Sequence, residues 1–126
     1  MDEKKIPIRK SFYYAFQGIK TGIVQERNMK IHCFMAILVA ICGWIFHISR
    51  IEWCICLVLF GLVMSLELIN TSIEAVVDLV TEEYHPLAKI AKDTAAGAVL
   101  IASIMAAAAG LVIFVPKGLD FLKCLI

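Results

Sequence analysis

Glu67, Asn70, Glu74 and Asp78 are spaced three, four and four residues apart. On an α-helix, at about 100° per residue, they fall within one arc of roughly 80° and make a polar stripe that rises roughly 16 Å. Apolar residues (Leu68, Ile69, Ile73, Val76, Val77, Leu79) cover much of the remaining surface, and Ser65 to Val80 contains no basic residue. The stripe ends an apolar run that begins near Ile51. Glu67 therefore stands roughly 24 Å along that run, near the edge of a hydrocarbon layer, with Glu74 and Asp78 at or beyond the edge. Acidic groups at such depth are costly and mark function by default. Carboxylates grouped without cations either share protons or bind a metal. Oxygen donors near an interface suit a hard ion such as Mg²⁺, which keeps waters and bridges carboxylates to phosphates. Glu67, the deepest and most desolvated, suits a general base acting on a lipid headgroup. Glu26 precedes the first apolar run at a similar depth and could face the same cleft. The bland reading is that the stripe pairs with Lys20, Arg27 or Lys30, or packs in an oligomer seam.

Weaker candidates surround this constellation. Glu82-Glu83-Tyr84-His85 and Lys92-Asp93 flank a turn at Pro86, and a charged loop is usually just solvated. His32 and His47 read as span-edge and interfacial residues, and Trp44 and Trp53 as belt aromatics. The five cysteines form no C-x-x-C pair and lie mostly in apolar runs, against a disulfide scaffold or zinc site. No G-x-x-x-x-G-K-[ST] or G-x-G-x-x-G loop is present, so any nucleotide is held without a standard phosphate-cradling loop.

The elements that must position these residues are helices in a membrane. Of 126 residues 61% are hydrophobic, and the mean hydropathy is +0.86, above the usual soluble range. The length suits one unit. Spans are predicted over 29–48, 51–80 and 95–115, the last ending at Pro116. The short linker "HISRIEW" makes the first two an antiparallel hairpin. Residues 6–27 carry Ile8, Phe12, Ala15, Phe16, Ile19 and Ile23 on one face, opposed by Arg9, Lys10, Gln17 and Lys20. This is the pattern of an amphipathic helix in the headgroup layer, and not of a signal peptide, since no small-residue cleavage site follows the first apolar run; the bland alternative is a soluble-side helix packed on the bundle. Nine Lys and Arg (Lys4, Lys5, Arg9, Lys10, Lys20, Arg27, Lys30, Lys89, Lys92) lie on one side and three (Arg50, Lys117, Lys123) on the other. The N-terminus and the loop before the third span are therefore expected to be cytoplasmic. With no large polar domain, the basic N-terminus is a poor nucleic-acid signal. Ala102, Ala106 and Gly110 make a small-residue face that admits close helix approach, and self-association is expected.

The stretch "ELINTSIEAVVDLVTEEYHPLAKIAKDTAAGAVL", Glu67 to Leu100, resembles the small bacterial diacylglycerol kinase and undecaprenol kinase family. The pattern E-x-x-N-x-x-x-E-x-x-x-D followed by E-Y-H and K-D is specific, and the likeness extends to "GIKTGIVQERNMKIH", Gly18 to His32. The resemblance implies an all-α membrane enzyme, with a surface helix and three transmembrane helices assembled as a homotrimer. It implies transfer of the ATP γ-phosphoryl group to a lipid alcohol, with Mg²⁺, at the cytoplasmic face of the bacterial inner membrane. Carried onto this sequence, Glu67 would be the catalytic base, and Glu26 and Glu74 would hold Mg²⁺. Asn70 and Asp78 would orient the site. Tyr14, Glu83, His85, Lys92 and Asp93 would contact ATP together with Glu26 and Glu74. Arg9, Lys10 and Asn28 are candidate phosphate or headgroup contacts. "ERN" at 26–28 and His32 look like the Gram-positive branch, which the resemblance associates mainly with undecaprenol; diacylglycerol is the alternative acceptor. A small proton or ion transporter using Glu67, Glu74 and Asp78 as a relay is a different class of function, and a structural membrane subunit another. A relay calls for acids spread across the span, whereas residues 53–66 hold none.

Overall fold

The structure is a computed structural model and describes residues 6–125; Lys4 and Lys5 of the basic N-terminal group lie outside the described residues. Four helices follow one another: α1 (Ile8–Gln25), α2 (Arg27–Ile45), α3 (Arg50–Val80) and α4 (Pro86–Leu125). Helices α2, α3 and α4 are long and apolar enough to cross a membrane. Most of their large apolar side chains are exposed, as on Phe34, Ile37, Leu57, Leu100 and Leu111. Such surface is costly in water and at home in lipid.

The break between α1 and α2 falls at Glu26, whose extended backbone (φ −90°, ψ 123°) ends one helix and starts the next. The expected surface helix thus stops short of residue 27, and Arg27 and Asn28 open α2 instead. Asn28 and His32 then lie four apart, on one face of α2. Gly22, near the end of α1, is buried, and a Cβ there would sit 2.5 Å from Leu68 Cδ2 of α3. The missing side chain lets α1 press on α3 beside Glu67.

The α2–α3 turn is tight. His47 adopts φ 49°, and Ser49 caps α3: its Oγ accepts from the Glu52 amide at 3.2 Å while Glu52 Oε2 accepts from the Ser49 amide at 2.6 Å. This reciprocal capping box starts the helix sharply. Where α2 meets α3, a Cβ on Gly43 would lie 2.9 Å from the Trp53 ring and 3.0 Å from Ile48 Cδ1. Overpacking a fitted contact costs about 1–3 kcal/mol. Gly43→Val is therefore expected to lower stability by about that much, read as a lower midpoint of thermal unfolding in detergent.

Helices α3 and α4 make the most extensive contact in the molecule, as an antiparallel pair. Two ion pairs mark their register: Lys92 Nζ to Asp78 Oδ1 at 2.5 Å near one end, and Lys117 Nζ to Glu52 Oε1 at 3.3 Å near the other. Partly exposed pairs of this kind add little energy, but they fix which residues face each other. Between them Glu67 is level with Ser103. Part of the small-residue face serves this packing: Ala102 is buried, whereas Gly110 has open space where a Cβ would stand, and Ala106 and Gly110 line a small gap together with Cys56 and Phe60 of α3. Ile48, Cys56 and Ile113 form a buried cluster at the Glu52–Lys117 end, with Phe46, Trp53 and Phe114 against it.

Helix α4 outruns the expected span at both ends. It starts at Pro86, a favourable residue for a first turn, and continues through Pro116 to Leu125. Proline forfeits one backbone hydrogen bond. The turns beyond it are held by the Lys117–Glu52 pair and by Phe121, whose ring lies 5.7 Å from that of Phe46.

Candidate active site

The polar stripe of α3 faces a cavity of about 570 Å³ between α2, α3 and α4. Helix α3 contributes Glu67, Asn70 and Glu74; α2 contributes Asn28 and His32; α4 contributes Asp93, Gly97 and Ser103. Glu67 is 1% exposed and Asn70 7%. Asn70 Nδ2 donates to Glu74 Oε1 at 3.0 Å, so the amide steadies the carboxylate one turn on. Its Oδ1 remains without a partner, as do Glu67 Oε2 and Ser103 Oγ, all of them buried. Unsatisfied buried polar atoms are uncommon and call for an explanation. Three around one cavity mark a place built for a polar guest.

His32, Glu26 and Glu74 lie close enough to Glu67 to act on it, and the Asn28 amide approaches its carboxylate, which places these groups in one neighbourhood. Among the described residues no Lys or Arg is ion-paired with Glu26, Glu67 or Glu74. The reading that Lys20, Arg27 or Lys30 neutralises the stripe therefore fails for those three acids. Asp78 alone of the stripe is paired, with Lys92 in the polar first turns of α4. The hydrogen bond that Lys92 donates to Asp78 holds its ammonium above the ordinary lysine pKa.

Of the residues singled out in the sequence, Glu67, Asn70, Glu74, Asn28 and Asp93 line the one cavity, with Glu26 at its margin. Asp93 also pairs with Lys89. The rest lie outside that lining. Tyr14 is exposed on α1 against Tyr13, and Arg9 and Lys10 are exposed on the same helix. In the turn before α4, the Glu83 amide donates to Thr81 Oγ1 at 3.1 Å, and His85 Nδ1 accepts from the Leu87 amide at 3.2 Å. His32, expected as a span-edge residue, also borders the cavity, and so does Ser103, which the sequence does not single out.

The donor set fits a hard divalent cation. Glu26 and Glu74 stand close enough to Glu67 to act on it, neither is ion-paired although Lys92 bears on Glu74 from α4, and Asn70 Oδ1 is a neutral oxygen without a partner. Among the described residues no three His, Cys, Asp or Glu side chains form a metal-binding group of their own. That suits an ion that takes one or two carboxylates and completes its shell with phosphates and water.

Three apolar helices with a carboxylate-walled recess let into one end define a polytopic membrane protein with a buried polar cavity. The chain belongs to the prokaryotic diacylglycerol kinase family, whose family model matches residues 13–114. It is 49% identical over 108 residues to the undecaprenol kinase of Bacillus subtilis, covering 86% of this chain and 88% of that protein. It is 42% identical over 113 residues to a diacylglycerol kinase of Synechocystis, covering 89% of this chain and 65% of that one. With the diacylglycerol kinase of Escherichia coli K12 it shares 32% identity over 99 residues, 79% of this chain and 81% of that protein.

Proposed function

We propose that this lipid kinase transfers the γ-phosphoryl group of ATP to the hydroxyl of undecaprenol at the cytoplasmic face of the bacterial inner membrane. The observation that carries the reading is the buried, unpartnered Glu67 Oε2 facing a recess shared by three membrane helices. The Asn28 amide approaches the Glu67 carboxylate, yet Oε2 is left without a partner, and the hydroxyl of a lipid alcohol supplies one. The alcohol oxygen forms a bond to the γ-phosphorus, its proton passes to Glu67, and the bond to the bridging oxygen breaks, its electron pair leaving on ADP. Catalysis of this transfer is mostly positioning and charge neutralisation. Glu26 and Glu74 would hold Mg²⁺, which neutralises phosphate charge when bound. Asn70 steadies Glu74. Asp93 and Lys92 stand where α4 could meet the nucleotide, with Asp78 holding Lys92 in place. Tyr14, Glu83 and His85 would complete the ATP contacts from α1 and the α3–α4 turn, and Arg9 and Asn28 would face the acceptor side.

The apolar face of α1 supports its lying in the headgroup layer, where Phe12 and Phe16 are exposed for lipid. We place the chain in a homotrimer, in which the exposed helix faces pack and a neighbour can wall the open side of the recess. The similarity to the Bacillus undecaprenol kinase favours undecaprenol over diacylglycerol. Purified protein given Mg²⁺, γ-labelled ATP and equal amounts of both lipids is expected to label undecaprenol preferentially. Label on diacylglycerol alone overturns the acceptor, and label on neither overturns the kinase.

A further inference from the structure

We propose that Ser103 binds the hydroxyl oxygen of the acceptor alcohol across the cavity from Glu67 and so aims it at the phosphoryl group. The inference rests on the lipid-kinase reading above and adds to it a specific acceptor-binding residue on α4.

A serine within an apolar helix ordinarily satisfies its hydroxyl by donating to the carbonyl one turn back. Other hydroxyls of this protein do so: Thr71 donates to the Glu67 carbonyl at 3.0 Å, Ser72 to that of Leu68 at 2.9 Å, and Thr94 to that of Ile90 at 2.8 Å. Ser103 does not; its Oγ is buried and has no partner. Leaving such a group unmade costs free energy, so its position in the recess calls for a ligand that completes it.

The register of α3 and α4 says what that ligand meets. The Asp78–Lys92 and Glu52–Lys117 pairs mark a register in which Ser103 and Glu67 are level, and both border the same cavity. Ionised Glu67 can only accept, whereas Ser103 can donate and accept. A hydroxyl oxygen between them uses both: its proton points to Glu67 Oε2, and a lone pair receives the Ser103 hydroxyl. Val99 and Leu100, on the preceding turn of α4, give the guest an apolar wall. The chemistry thus fits an alcohol carrying an apolar chain. During transfer Ser103 neither gains nor loses a proton; it holds the attacking oxygen in place.

Steady-state kinetics with undecaprenol in mixed micelles test this. Ser103→Ala is expected to raise KM for undecaprenol roughly three- to tenfold, the worth of one neutral hydrogen bond, with KM for ATP unchanged. Ser103→Thr, which keeps the hydroxyl, should recover the lipid KM, and Ser103→Val, its isostere without one, should not. The Thr–Val pair carries the comparison even if the alanine variant folds poorly. Wild-type lipid KM in the alanine and valine variants overturns the proposal. So does an equal rise in KM for ATP and lipid, or a threonine variant as impaired as valine. A wild-type enzyme that phosphorylates neither undecaprenol nor diacylglycerol overturns the kinase reading itself; an active wild type with an indifferent Ser103 overturns only this assignment.

Discussion

Glu67→Gln should cut kcat for lipid phosphorylation by about 10²–10⁴-fold, the range a positioned general base contributes, while Mg-ATP binding stays near the wild-type level. Glutamine has nearly the shape of glutamate, so the closely packed place of a side chain only 1% exposed is preserved. What disappears is an acceptor able to take up a proton. The split between chemistry and nucleotide binding follows from position. Glu67 is level with Ser103, while Glu74 lies nearer the end where Asp93 and the Lys92–Asp78 pair stand. The measurement is turnover of undecaprenol beside direct titration of Mg-ATP. Full turnover in the glutamine variant would remove Glu67 from the reaction.

Glu74→Gln should show the opposite pattern. Loss of a carboxylate ligand is expected to weaken Mg-ATP binding by at least the roughly 10–100-fold seen when even supporting residues of metal sites are removed. Raising Mg²⁺ should recover part of the loss. The glutamine amide can still meet Asn70, whose Nδ2 lies 3.0 Å from Glu74 Oε1, so the recess should keep its shape. The variant therefore reports on charge. Titration of Mg-ATP at several Mg²⁺ concentrations checks it, and unchanged binding would detach Glu74 from the cation.

The centre of this site was legible because helical periodicity is a local property. Spacings of three and four put Glu67, Asn70 and Glu74 on one face whatever surrounds them, and that face is the one that meets the cavity. The same periodicity could not separate Asp78, which has the same angular position but sits farther along the axis, where Lys92 pairs with it. His32 reads in the sequence only as a span-edge residue; that it also borders the cavity depends on how α2 packs against α3 and α4, which spacing along one helix does not show. Ser103 needed the register of α3 against α4, which is visible only in contacts between residues distant in sequence, the two ion pairs among them. The Ser49–Glu52 capping box, by contrast, was present as S-x-x-E and simply not read. Pro116 shows a local rule yielding to tertiary contact: a breaker by type, it lies inside a helix whose next turn is tied to α3 through Lys117.

The clasp at each end of the α3–α4 hairpin limits how the gene can change length. One codon gained or lost between Lys92 and Lys117 would swing everything downstream by about 100° around the helix axis. A hydropathy plot would barely register the change, yet one clasp would open or Ser103 would turn away from the carboxylate opposite. Tolerated indels should therefore collect beyond Lys117, and the stretch between the clasps should drift by substitution alone.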